Sequence, residues 1–236
     1  MDRYPKIYNH SKFYLTQSFF ADEDEDQIPT PLLTQRLLQF DIQSIACGDY
    51  HNAALTKDGN VYTWGGGILG STEEANDSNP TVVRRFVDTR RRVSNIHAGG
   101  ALTLAKAGKI DSGSNSIDEY YVWGYLKQDG KYHRAKTPSL LGHVVKEQVL
   151  FSNVGPGGVA FLTSGGNGEK QGCTLMVYSG VGRDAIGEGM PFRREDAKDM
   201  GDVCMIEPFK AQIPLNSSLV AGISMAEDFG LILCST

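Results

Sequence analysis

Apolar residues in this chain come in short runs of four to six, broken by glycine and small polar turns. Residues 43–65, QSIACGDYHNAALTKDGNVYTWG, show the unit most clearly. An apolar run leads to a Gly, a polar turn, a second apolar run, a Lys-Asp-Gly-Asn turn and an aromatic strand ending in Trp-Gly. The same order returns at 94–108 (SNIHAGGALTLAKAG) with YYVWG at 120–124, and at 150–163 (LFSNVGPGGVAFLT) with LMVYSG at 175–180. A last copy, LVAGISMAEDFGLIL, spans 219–233. Runs this short, rich in Val, Ile, Tyr and Phe, predict strands rather than helices.

A second marker runs in phase with the first. A Pro followed by a short apolar strand precedes each copy: TPLLTQRL, NPTVVRRF, TPSLLGHV and, more weakly, EPFKAQI. The distances are 17 residues from Pro31 to Gly48, 19 from Pro80 to Gly99, 17 from Pro138 to Gly155 and 14 from Pro208 to Gly222. Each repeat then holds about four strands, and a period of roughly 50 residues predicts an all-β propeller. Gly48, Gly99, Gly155 and Gly222 are expected where an inner strand turns at a crowded axis, since a residue without Cβ permits close approach. The N-terminal segment KIYNHSKFYL…IPTPLLTQRL reads as the outer half of a blade and residues 219–236 as the inner half of one. The expectation is one domain over 1–236, with repeats from 28 onward and outer blade strands plus an acidic loop in 1–27. About four blades follow, as a small ring or as a partial ring completed by another chain, because bare sheet edges need cover.

The stretch ACGDYHNAALTKDGNVYTWGGGILG (46–70) resembles the repeat of the regulator of chromosome condensation family. Its pattern is A-x-G, then His51, a small-apolar strand, a turn with Gly59, and Trp64-Gly65 with a later Gly. The second copy keeps Ala98-Gly99 and Trp123-Gly124 without the His. The third keeps Gly155 and Gly180, with Tyr178 near the Trp position. The resemblance implies a β-propeller, usually of seven blades, that binds partners through the faces of its disc. It implies structural roles for these residues, and the family's founding member is an exchange factor for the Ran GTPase.

Composition narrows the choice. The chain has 236 residues, 40% hydrophobic and 22% charged, with net charge −5. That balance disfavours nucleic acid as a general partner. No apolar window reaches the roughly 18 residues of a membrane span. The start lacks a secretory apolar region, and Asp2 with the acidic run nearby disfavours a transit peptide. On that reading the sequons at Asn9, Asn76 and Asn216 are accidental. Cys47, Cys173, Cys204 and Cys234 form no zinc or disulfide framework, which predicts reduced thiols and a cytoplasmic or nuclear setting.

Several segments carry candidate chemistry. Asp22, Glu23, Asp24, Glu25 and Asp26 form an acidic run, either a solvated loop or a contact for a basic partner. Arg84, Arg85, Arg90, Arg91 and Arg92 place five arginines within nine residues. They are either an exposed inter-blade connection or a docking patch for an acidic surface. Residues 181–207, with Arg193 and Arg194, exceed what the third repeat needs and are a candidate binding loop. Residues 110–119 read as a hairpin tip. GGGILG (65–70) matches Gly-x-Gly-x-x-Gly, but a polar loop follows it where a dinucleotide site needs a helix. His51 reads as a structural histidine, and the five histidines show no metal spacing. No nucleophile–base arrangement is legible, so neither catalysis nor a cofactor is expected. The leading expectation is a non-catalytic protein-interaction scaffold within a larger assembly. The alternatives are nucleotide exchange on a small GTPase and a chromatin- or RNA-associated adaptor.

Overall fold

The computed structural model describes residues 14–15, 32–33, 37–71, 77–110, 118–129, 131–142, 144, 148–164, 172–180, 197–213, 220–225 and 230–234. They form β1 (Tyr14–Leu15), β2 (Leu32–Leu33), β3 (Ile42–Cys47), β4 (His51–Thr56), β5 (Val61–Gly65), β6 (Asp77–Val82) and α1 (Arg84–Asp88). Then come β7 (Arg91–Gly99), β8 (Leu102–Lys109), β9 (Glu119–Gln128), β10 (Lys131–Leu141), β11 (Val149–Gly155), β12 (Gly158–Ser164) and β13 (Cys173–Ser179). The last are β14 (Lys198–Asp199), β15 (Val203–Cys204), β16 (Phe209–Ile213), β17 (Val220–Met225) and β18 (Gly230–Cys234).

The strands sort into antiparallel blades. Blade 1 runs β3-β4-β5-β6, blade 2 runs β7-β8-β9-β10, and blade 3 runs β11-β12-β13-β16. Two two-stranded sheets remain, β17-β18 and β1-β2. Among the described strands neither extends the other, so the blades do not close into a ring. Pro80 and Pro138 lie within β6 and β10, the outermost antiparallel strands of blades 1 and 2. An outer position suits a residue that has no N–H to give a ladder.

A shared irregularity shows that all four inner strands are copies of one unit. Each carries a register shift at its start, between Ile42 and Ser44, Val93 and Asn95, Val149 and Phe151, and Val220 and Gly222. Six residues after the first of each pair stand Gly48, Gly99, Gly155 and, by count, Ala226. The structure therefore corrects the expected role of Gly222. It occupies the register-shift position, and a Cβ added there would meet nothing within 4 Å. Position 226 lies outside the described residues.

The core sits between neighbouring blades. Ala53, Leu55, Val61 and Phe86 pack on Val93, Ile96, Tyr121 and Trp123 between blades 1 and 2. Leu102, Leu104, Tyr120 and Val122 pack on Val159, Phe161, Met176 and Tyr178 between blades 2 and 3. Leu162 and Cys173 meet Val220, Ile223 and Ile232 at the junction with β17-β18. The chain after β13 returns to blade 2. β14 and β15 pair in parallel with β10 at His133–Arg134 and at Leu140–Leu141, on either side of Pro138. Cys204 and Ile206 of this strap are buried in the blade 2–3 core.

Candidate functional site

The arginine segment is partly architecture. α1 places Phe86, 1% exposed, edge-on to Tyr121 at 5.4 Å between ring centroids and 6.1 Å from Trp123. Arg91 grips Glu119 with both arms of its guanidinium: Nε donates to Oε2 at 2.5 Å and Nη2 to Oε1 at 3.2 Å. Tyr121 Oη donates to the same Oε2 at 2.9 Å, and the Arg91 guanidinium lies 5.6 Å from the Tyr121 ring. Burial alone would raise the Glu119 carboxyl, but the bonds from Arg91 and Tyr121 outweigh it and hold it below the usual range. Arg85 Nη1 donates to Asp202 Oδ1 at 2.6 Å, joining α1 to the strap, and Arg92 Nη2 donates to the Lys57 carbonyl at 2.6 Å. The segment thus divides. Arg85 and Arg91 are partly buried and tie elements together, while Arg84, Arg90 and Arg92 present surface. Asp22 to Asp26, Arg193 and Arg194 lie outside the described residues.

The hub residues form a separate group. His51 is buried, with Nε2 2.6 Å from Thr103 Oγ1 of blade 2. Burial drives its pKa down to about 4, against a smaller upward pull from the Leu102 backbone. The imidazole is therefore neutral and serves as an inter-blade link. Gly99 lies where a Cβ would come within 2.7 Å of Gly155 Cα, which shows how tightly the inner strands crowd. The third strands face the second strands in the pairs His51–Gly65, Leu102–Gly124 and Gly158–Ser179. Each pair contains one glycine. In the third it moves across the ladder to Gly158, and Gly180 stands one residue beyond. Trp64, Trp123 and Tyr178 immediately precede Gly65, Gly124 and Ser179, so they hold one register position. Gly59 takes φ +88 in the turn before β5.

The GGGILG run is a turn packed on its neighbour. Gly65, Gly67 and Gly70 take positive φ, Thr63 Oγ1 donates to the Leu69 carbonyl at 2.6 Å, and a Cβ at Gly70 would lie 3.0 Å from Trp123 Nε1.

A surface that the sequence reading did not single out lies on β18. Pairing with the inner strand puts Leu231 level with Ala53, Leu104 and Ala160, and Leu233 level with Leu55, Lys106 and Leu162. Ala53, Leu104, Ala160, Leu55 and Leu162 are at most 1% exposed, whereas Leu231 and Leu233 are each 65% exposed. Beside them a cavity of about 300 Å³ opens between blade 3 and β17-β18, lined by Ala160, Leu175, Val177, Ile223 and Met225. The alternating apolar run GLILC was the available signal.

A family model described as the regulator of chromosome condensation (RCC1) repeat matches residues 42–70, which hold β3, β4 and β5. The chain is 36% identical over 89 residues to the RCC1 domain-containing protein RUG3, mitochondrial, of Arabidopsis thaliana. That match covers 36% of the chain and 18% of the relative. It is 31% identical over 102 residues to the human E3 ubiquitin-protein ligase HERC2, covering 41% and 2%. The crystal structure of Kap60 bound to yeast RCC1 (Prp20) superposes on 86% of the chain with TM-score 0.53 and 20% identity. Human WBSCR16 superposes on 88% with TM-score 0.54 and 15% identity. This is an RCC1-type repeat protein.

The chain spans 44% and 48% of those two solved chains and under a fifth of these curated relatives. Among the described residues its blades are two four-stranded sheets, a four-stranded blade widened to six strands by β14 and β15, and the two-stranded β17-β18, a set that does not close into a ring. No helix among the described residues is long and apolar enough to cross a membrane.

Proposed function

We propose that this RCC1-type chain is a non-catalytic protein-interaction module that docks within a larger assembly through the uncovered sheet of its fourth blade. The supporting observation is the exposure of Leu231 and Leu233 at positions buried between the complete blades. Interior contacts define what fits there: an apolar sheet face carrying a large aromatic, as Trp123 and Tyr178 supply between blades 1 and 2 and between blades 2 and 3. Among the described strands β18 pairs with β17 alone, and a strand from the same partner extends that edge.

The test is native mass and affinity capture of the purified chain and of a Leu231→Asp/Leu233→Asp variant. The expected result is a protein complex that forms with the parent chain and is lost in the variant, with unchanged far-ultraviolet circular dichroism. A parent chain that stays monomeric and recovers no protein overturns the reading.

A further inference from the structure

A second surface, on the outer strands of blade 2, points to a ligand of defined charge. β10 and its parallel partner β14 are in register at two consecutive pairs, His133 with Lys198 and Arg134 with Asp199. Successive residues of a strand point to opposite faces, and cross-strand partners share one. The Arg134 pair is complementary: Arg134 Nε donates to Asp199 Oδ1 at 2.5 Å. That hydrogen bond, with further attraction from Arg134 and Lys136, holds Asp199 below the usual carboxylate range. On the opposite face the pair is His133 and Lys198, and Lys131 stands two residues before His133 on the same side. Its own cross-strand neighbour is the neutral Gln128, and that of His133 is Leu126.

The two faces of one strand pair are therefore sorted by charge. One carries its own carboxylate. The other brings together two ammonium groups and an imidazole, and no ion pair of Lys131 or Lys198 occurs among the described residues. Burial, then the charges of Lys198 and Lys131, hold the His133 imidazole below its ordinary range, so the ring is neutral at physiological pH. The face therefore presents two ammonium groups beside a neutral imidazole, which carries one N–H to donate.

We propose that Lys131, His133 and Lys198 form a docking site for an acidic polypeptide segment, whose carboxylates take the place that Asp199 fills on the opposite face. A protein ligand fits better than nucleic acid. The chain carries net charge −5, which opposes a long polyphosphate, while two ammonium groups and one imidazole N–H on a single face suit a short run of two adjacent carboxylates. This site shares no residue with the β18 surface, and either can fail without the other.

The test is fluorescence anisotropy of a labelled peptide of alternating Glu and Asp, at low and at physiological salt. Expected are binding that weakens with salt and a loss of about fivefold from Lys198→Ala or Lys131→Ala, the upper end for one screened charge. Lys127→Ala removes the same charge from the other face, where its ammonium lies 5.5 Å from the Tyr132 ring, and should change affinity less than about twofold. Lys198→Ala should also leave the thermal midpoint unchanged or raise it, which a structural role would not allow. The inference is overturned by an absence of binding at low salt, or by an equal loss from Lys127→Ala. It is also overturned if a single-stranded oligonucleotide of the same charge binds more tightly through the same lysines.

Discussion

At the scale of single residues, His51 shows how a family signature residue acts in this chain. Its ring is buried and neutral, and it ties blade 1 to Thr103 of blade 2. The unfolded chain holds a proton on this group below pH 6.5, whereas the folded chain resists protonation until about 4. The unfolded state therefore binds more protons between those values, and stability falls as the pH drops through that window. The full effect is on the order of 3 kcal/mol. Urea midpoints at pH 7 and pH 4.5 should fall more for the parent chain than for His51→Gln, which has nothing to titrate. Equal falls would show that other groups set the acid limit. Glycines allow a second comparison. Gly124 takes φ +114 and a Cβ there would strike the Ala101 carbonyl, whereas Gly222 has open space. Gly124→Ala should cost at least roughly 1–3 kcal/mol. Gly222→Ala should be neutral or add up to about 1 kcal/mol by stiffening the unfolded chain. Chemical denaturation of the two variants decides between them.

At the scale of elements, the strands were legible and their partners less so. The apolar runs and turns located all four inner strands because an alternating or continuous apolar run of this length has few other uses. The Trp64 and Trp123 positions, and Tyr178 in their place, were readable for the same local reason. Gly222 was misplaced because it was matched by residue type, whereas register follows the shift at Val220. Position 226 also brings the Pro208 spacing into line with the others. The parallel pairing of β14 and β15 was not legible, because it joins residues about sixty positions apart and no local pattern encodes that contact. This strap is held by its apolar anchors more than by its charges. Ile206 is 5% exposed, while Asp202, the partner of Arg85, is 74% exposed at its side chain. Ile206→Ala should cost about 2–5 kcal/mol and Asp202→Ala about 0–1 kcal/mol. Protease cleavage between 197 and 206 should rise sharply in the first variant alone. A comparable rise in the second would make the ion pair the clasp.

At the scale of the whole molecule, the described cores lie between neighbouring blades, so a seam residue matters according to whether the next blade is present. Leu55, Leu162 and Leu233 occupy one register position in blades 1, 3 and 4. The first two are fully buried and the third is 65% exposed. Leu162→Ala removes a core side chain and should cost about 2–5 kcal/mol in the isolated chain. Leu233→Ala removes the same atoms from solvent and should cost less than about 0.5 kcal/mol. The order should reverse in association, with Leu233→Ala weakening the complex and Leu162→Ala acting only through folding. Lys106, at the same position in blade 2, shows that this site accepts a charged head where its stem lies against the sheet and Asp118 pairs with it. Leu233→Lys should therefore remain folded while losing its partner, a cleaner separation than truncation gives. Thermal denaturation of the free chain beside native mass of the complex reads both effects in one preparation. An isolated chain as sensitive to Leu233→Ala as to Leu162→Ala would mean that this face is already covered, and the docking surface would have to be sought on the disc faces instead.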